Sequence, residues 1–295
     1  MTKIIIDSTS DLPEDIIERY DIDILPLRIF INDKEYLDKV TISVEEIYEE
    51  MRNGILPQTS LPNPKDTYEL FEKYASKGKN FIFYSFSSKL SSTYETSYLI
   101  IRELEKKFPN VKMEVIDTQG GSLGSGLIAL QGAILSKEGK SFEDIVEMSK
   151  ESIGYVEHVF SINDLSWLLK GGRISKSSEI IGKTLNIKPI LDVQDGEMIV
   201  IKKVRGEKRM LNTVLDIVQE RIKEFPNQII GIAHADDLKT ALKVKDMIAK
   251  EIGDVNNIFL EKIGSVLGTH LGIGGVGVCF LNKEPNFYIN NLKTI

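Results

Sequence analysis

Short apolar runs, each followed by a polar turn and an amphipathic stretch, constrain this chain more than any other feature. Ile4-Ile5-Ile6, Phe81-Ile82-Phe83-Tyr84 and Met113-Glu114-Val115-Ile116 read as strands. A strand that is apolar on both faces must be covered on both, and crossover helices do this in parallel sheets. The alternation predicts an α/β fold whose N-terminal sheet is mainly parallel and flanked by helices. Helix starts are chemically explicit. Asn63-Pro64 pairs a capping side chain with a proline at the first helical position, ahead of an apolar face through Tyr68, Phe71 and Tyr74. Ser92-Thr93-Tyr94-Glu95 matches a capping box. Gly120-Gly121 marks a turn before a helix through Leu127, Leu130 and Ile134.

From Val156 the pattern shifts to strand pairs. The run Ile187 to Val193, then Asp195-Gly196, then Met198 to Ile201 reads as a hairpin with Asp-Gly at its turn. Helices near Met210 to Lys223 and Leu238 to Ile252 flank a strand at Ile229 to Ile232. The simplest division is an N-terminal α/β domain over residues 1–155 and a C-terminal α/β domain with a mixed sheet over residues 156–295.

Net charge is -7, which argues against a general nucleic-acid binder, since phosphate backbones are held by an excess of Lys and Arg. The single cysteine, Cys279, cannot form an intramolecular disulfide and lies in a strand-like apolar run. No signal-peptide pattern opens the chain and no apolar stretch reaches the ~20 residues of a membrane helix, so a cytoplasmic protein without a transmembrane segment is expected.

Hydroxyl-rich segments are the strongest chemical signal. Thr59-Ser60-Leu61-Pro62 and Ser87-Ser88-Lys89-Leu90-Ser91-Ser92-Thr93 precede helices, and Asp7-Ser8-Thr9-Ser10 and Asp117-Thr118 fall at strand ends. In open α/β sheets ligands bind beyond the carboxyl ends of strands, where backbone N–H groups and helix dipoles favour anions. If these loops converge they form one polar pocket suited to a carboxylate or phosphate. The same residue types also serve as helix caps and turn formers. His270, in Gly268-Thr269-His270, could donate to a bound anion; a structural role is the alternative. Arg173, in Lys170-Gly171-Gly172-Arg173-Ile174-Ser175, could reach a carboxylate or sit in an exposed turn. The basic stretch from Lys202 to Arg209 could meet a partner or simply be solvated. No His, Cys or carboxylate lies at metal-ligand spacing from His158 or His234, so neither a metal nor a cofactor is expected. Gly272-Ile273-Gly274-Gly275-Val276-Gly277 matches a dinucleotide fingerprint by letter, but a strand-like run follows it where a helix is required.

Six segments in order resemble the signatures of the DegV family: Ile6-Asp7-Ser8-Thr9-Ser10-Asp11-Leu12, Thr59-Ser60-x-Pro62, Ser87-Ser88-x-Leu90-Ser91-x-Thr93-Tyr94, Lys170-Gly171-Gly172-Arg173-Ile174, Asn186-Ile187-Lys188-Pro189-Ile190 and Gly268-Thr269-His270. The resemblance implies a two-domain protein that binds a long-chain fatty acid, with the carboxylate at a polar mouth and the chain in an apolar tunnel. FakB-type members present the acid to a separate kinase subunit for conversion to an acyl phosphate, so the chain itself would be a carrier and not an enzyme. Carried over, the ligand-binding positions are Thr59, Ser60, Ser91, Ser92, Thr93, Arg173, Thr269 and His270, with Arg205 a candidate for the kinase contact. A transient contact with a membrane surface stays open. Leu61, Ser92 and Glu95 depart from the family's usual glutamine, glycine and glutamine.

The energetics suit a lipid. At ~0.8 kcal/mol per buried methylene, a chain of about 14 methylenes gains on the order of 11 kcal/mol before ordering costs. Two other functions remain open on sequence: a serine-dependent acyl hydrolase, with Ser91, His270 and Asp7 or Asp117 as its constellation, and a regulatory sensor that changes partners with ligand.

Overall fold

The computed structural model describes residues 1–174, 186–252 and 257–290. Ser175, which ends the Lys170 segment, lies outside them. The first half runs β1 (Lys3–Asp7), α1 (Glu14–Arg19), β2 (Asp23–Leu25), β3 (Arg28–Ile31), β4 (Lys34–Leu37), α2 (Val44–Arg52), β5 (Gln58–Ser60), α3 (Pro64–Ala75), β6 (Phe81–Ser85), α4 (Thr93–Lys107), β7 (Met113–Asp117), α5 (Ser122–Lys137) and α6 (Phe142–Ile153). The second half runs β8 (Val156–Ser161), α7 (Ser166–Gly171), β9 (Ile187–Gln194), β10 (Glu197–Arg205), α8 (Glu207–Arg221), β11 (Ile230–His234), α9 (Leu238–Glu251), β12 (Ile258–Lys262), α10 (Ser265–Leu271) and β13 (Val276–Leu281).

The apolar strands form the parallel sheet their composition requires. Its order is β2-β1-β6-β7, with every neighbouring pair parallel. Side chains alternate between two cores, as a period of two dictates. Ile4, Ile6, Ile82 and Tyr84 join a large central cluster, whereas Ile5, Phe81 and Phe83 pack with Phe71 of α3 and Leu104 of α4. The second sheet has six strands in the order β10-β9-β8-β13-β11-β12 and is antiparallel except for β11 beside β12. Between the two sheets lies α5, buried at every position from Ser122 to Ser136 and touching β1 and β6 on one side and β8, β11 and β13 on the other. A third, three-stranded antiparallel sheet, β4-β3-β5, has no counterpart in the sequence reading, because its strands are three or four residues long and lack a decisive apolar period.

Local chemistry explains most boundaries. Asn63 caps α3 through Lys65 N at 3.0 Å, with Pro64 at the first helical position. The capping box expected at Ser92 does not form. Ser92 has ψ 15°, outside the extended conformation that aims a capping side chain, and it makes no cap hydrogen bond. Ser91 Oγ instead accepts from Thr93 N at 3.3 Å. The hairpin of β9 and β10 turns at Asp195 (φ 50°) and Gly196 (φ 82°), the left-handed pair that matches strand twist. Its tip reaches the N-terminal half, where Ser87 Oγ donates to Gly196 O at 2.7 Å.

A methyl group at Gly196 would meet Ser87 Oγ at 2.7 Å and would strain a left-handed backbone. Gly196→Ala should therefore lower stability by about 1 kcal/mol or more, read as a lower denaturant midpoint with an unchanged m-value.

Candidate ligand-binding site

The site is assembled from four separate stretches of chain. Thr59 and Ser60 sit on β5, held flat by pairing with β3 (Ile29 opposite Thr59, Arg28 opposite Ser60). Ser91 sits in the loop entering α4. Arg173 follows α7, and His270 lies in the last turn of α10. Their shared pocket is lined by Thr59, Ser60, Leu61, Ser91, Arg173 and His270, with Leu27, Phe86, Leu90, Met198, Val266 and Leu267 behind them. No carboxylate lines it among the described residues.

Thr59 Oγ1 and His270 Nε2 are 2.7 Å apart, which joins β5 to α10 across 211 positions of sequence. Burial pushes the His270 pKa down to about 4, and the Arg173 charge pushes the same way, so the ring is neutral at pH 7. Arg173 is fastened by backbone: its Nε donates to Leu90 O at 3.2 Å and its Nη1 to Gly171 O at 2.5 Å. The paired glycines before it have distinct jobs. Gly171 lies against the imidazole, where a Cβ would meet His270 Nδ1 at 2.3 Å, and Gly172 ends α7 in the left-handed conformation (φ 70°).

Of the predicted ligand residues, the structure brings Thr59, Ser60, Ser91, Arg173 and His270 to one pocket. Ser92 is exposed and does not line it. Thr93 stands one step back, with its Oγ1 2.8 Å from Ser91 Oγ. Thr269 turns into its own helix, donating to Ser265 O at 2.8 Å. Arg205 is exposed at the end of β10, away from the pocket. Sequence reasoning missed Arg28. Its Nη2 donates to Ser60 Oγ and its Nε to Leu61 O, both at 3.0 Å, so it both fixes the edge of the mouth and adds positive charge nearby. An arginine inside a short alternating strand carries no local mark of that role.

The hydroxyl loops at Asp7 and Asp117 do not line this pocket. Asp7, fully buried, accepts from Thr9 N, Thr9 Oγ1 and Phe86 N, at 3.0, 2.5 and 2.6 Å. Asp117 accepts from Ser88 N and Oγ at 3.1 and 2.5 Å. Ser8 Oγ accepts from Leu27 N, and Thr118 Oγ1 donates to Ser85 O. These groups satisfy the backbone at the strand ends and so hold the loops in shape. With both aspartates engaged there, and with His270 bonded to Thr59 rather than Ser91, the hydrolase constellation is not assembled.

Behind the mouth lies a small apolar cavity, walled by residues of β8, β11 and β13 together with the 120–122 turn and Leu267 and Leu271 of α10. Phe86, Leu90, Met198 and Leu267 line both spaces, so mouth and cavity share a wall. Periodicity could not separate these apolar residues from ordinary core.

The family model described as an uncharacterised protein of the DegV family matches residues 1–283. A DegV domain-containing protein of Clostridium perfringens is 36% identical over 95% of this chain and 97% of its own. One from Clostridium acetobutylicum is 37% identical over 95% and 98%. Among solved structures, a fatty-acid-binding DegV family protein from Streptococcus agalactiae superposes with a TM-score of 0.85 at 28% identity, covering 96% of this chain and 99% of that one. A DegV family protein from Thermus thermophilus, described by its fatty acid binding, gives 0.86 at 27%, covering 94% and 98%. A DegV lipid-binding protein from Thermotoga maritima gives 0.83 at 27%, covering 95% and 98%.

The two causes of the His270 shift can be separated. In the ligand-free protein, histidine NMR signals followed against pH should show His270 neutral at pH 6 and titrating near pH 4. Arg173→Met should move that midpoint upward, because it removes one of the two contributions opposing the proton.

Proposed function

The chain belongs to the DegV family, and from that premise we propose that it binds a long-chain fatty acid, with the carboxylate among Thr59, Ser60, Ser91, Arg173 and His270 and the chain in the apolar cavity. One observation carries this reading: a mouth without carboxylates among the described residues, equipped with hydroxyls, a guanidinium and an imidazole, shares Phe86, Leu90, Met198 and Leu267 with an apolar chamber. The chemistry of the two linings matches an amphiphile with one anionic end. Desolvating a carboxylate is costly unless it is paired, and the mouth offers both charge and hydrogen-bond donors. The bound anion would also raise the His270 pKa, strengthening donation to it. Solved relatives described as binding fatty acids support the assignment.

The protein acts as a carrier in this reading. A separate kinase subunit, supplying ATP in the cytoplasm, would phosphorylate the carboxylate held at the mouth. Arg205 and its exposed neighbours Lys202, Lys208 and Arg209 offer a basic surface for that encounter. Among the described residues no helix is long and apolar enough to cross a membrane. Acyl exchange with a bilayer would be a surface event.

Solvent extraction of the purified protein followed by mass spectrometry should return about one fatty acid per chain; an empty protein that also fails to bind added oleate or palmitate would exclude the reading. Thr59→Val should weaken binding by about 1–3 kcal/mol, as expected for leaving a buried polar partner unpaired. Arg205→Glu should leave fatty acid affinity unchanged in calorimetry while reducing acyl phosphate formation with ATP and the kinase subunit of the same organism. Equal rates for the variant and the unaltered protein would remove Arg205 from the docking surface.

A further inference from the structure

Among the described residues, two that line the apolar chamber carry buried polar atoms without a hydrogen-bond partner, His158 and Ser161. His158, midway along β8, lines the cavity and is 6% exposed, and neither ring nitrogen has a hydrogen-bond partner. The Gly121 backbone lies close enough to favour a proton slightly, yet no hydrogen bond forms. Burial holds the ring's pKa down at about 4, so it is neutral at pH 7, with one donor nitrogen and one acceptor. Cys279 is its register partner on β13 and lines the same space. The ring's place is specifically cleared at the start of α5: a Cβ on Gly124 would fall 2.0 Å from His158 Nε2, and one on Gly120 would fall 2.5 Å from Cε1. Ser161 also borders the cavity, but strand alternation puts its side chain on the face of the sheet opposite His158.

An unsatisfied imidazole is costly beside a chain made only of methylenes. A hydroxyl both donates and accepts, and so can serve whichever nitrogen faces it. Building on the acyl-binding reading above, we propose that this chamber selects an oxygenated acyl chain: a long-chain hydroxy acid whose carboxylate sits at the Thr59–His270 mouth and whose chain hydroxyl bonds to His158. Selection then acts at two polar points separated by apolar wall. The mouth recognises the acid, and His158 recognises the position of the hydroxyl along the chain.

Calorimetric titration of the delipidated full-length protein with stearic acid and with hydroxystearic acids differing in hydroxyl position tests this. At least one isomer should bind about fivefold or more tighter than stearic acid, the scale of one net hydrogen bond. His158→Phe should abolish that preference, so that stearic acid and the hydroxy isomers bind the variant with equal affinity. Overturning results are equal or weaker binding of every isomer, or a preference that survives in His158→Phe. Should that variant fail to fold, nitrogen-15 spectra of the unaltered protein decide: the preferred hydroxy acid must shift the His158 ring resonances more than stearic acid does, and equal spectra reject the contact. If stearic acid itself does not bind, the acyl-binding premise fails; if it binds and no isomer is preferred, only the hydroxyl selection fails.

Discussion

The architecture depends on one helix with no solvent face. From Ser122 to Ser136 every side of α5 is buried, and its sequence carries no charge before Lys137. A helix of that kind is stable only when covered all round, and here the parallel sheet covers one side and the six-stranded sheet another. Because the same helix serves both sheets, the central cluster runs without a break from Ile4 and Tyr84 to Leu191 and Cys279. The start of α5 adjoins the apolar cavity, through Gly120, Gly121 and Ser122, so the shared core and the cavity have a common boundary.

The hydroxyl-rich segments divide into two physical roles. At the ends of β1, β6 and β7 the polar side chains satisfy backbone groups that would otherwise be buried without partners. Asp7 tolerates full burial because three donors converge on it, although burial still raises its pKa. At the mouth, Thr59 and Ser91 are hydroxyls tied to other side chains with exchangeable donor roles, and Ser60 accepts from an arginine. Hydrogen bonds of that kind can reorganise around a ligand with little loss, whereas those that close the strand ends cannot.

The mouth and cavity also distribute energy differently. In the proposed complex, apolar burial of an acyl chain would provide most of the gross attraction and be indifferent to direction. Direction would come from the anionic end, near Arg173, whose guanidinium is held by the Leu90 and Gly171 carbonyls. The neutral imidazole of His270, pressed against Gly171, completes the donor set without adding a permanent charge that the empty pocket would have to solvate.

Local sequence determined the elements whose cause is local: the all-apolar strands, the Asn63-Pro64 helix start, the Asp195-Gly196 turn and the strand after the glycine-rich run at 272–277. It also supplied the residue types of the mouth, through Thr59, Ser91, Arg173 and His270. It misassigned the cap at Ser92, because capping depends on a backbone angle that the letters do not fix. It left open whether the Asp7 and Asp117 loops join the pocket, because a carboxylate that closes a loop and one that faces a pocket look alike in a string. Only the tertiary structure decided that Thr59 meets His270, that Arg28 braces Ser60, and that certain core-like residues border an empty space. Hydrogen bonds and cavities are made by residues distant in sequence, and their partners are chosen by packing, which acts on the whole chain at once.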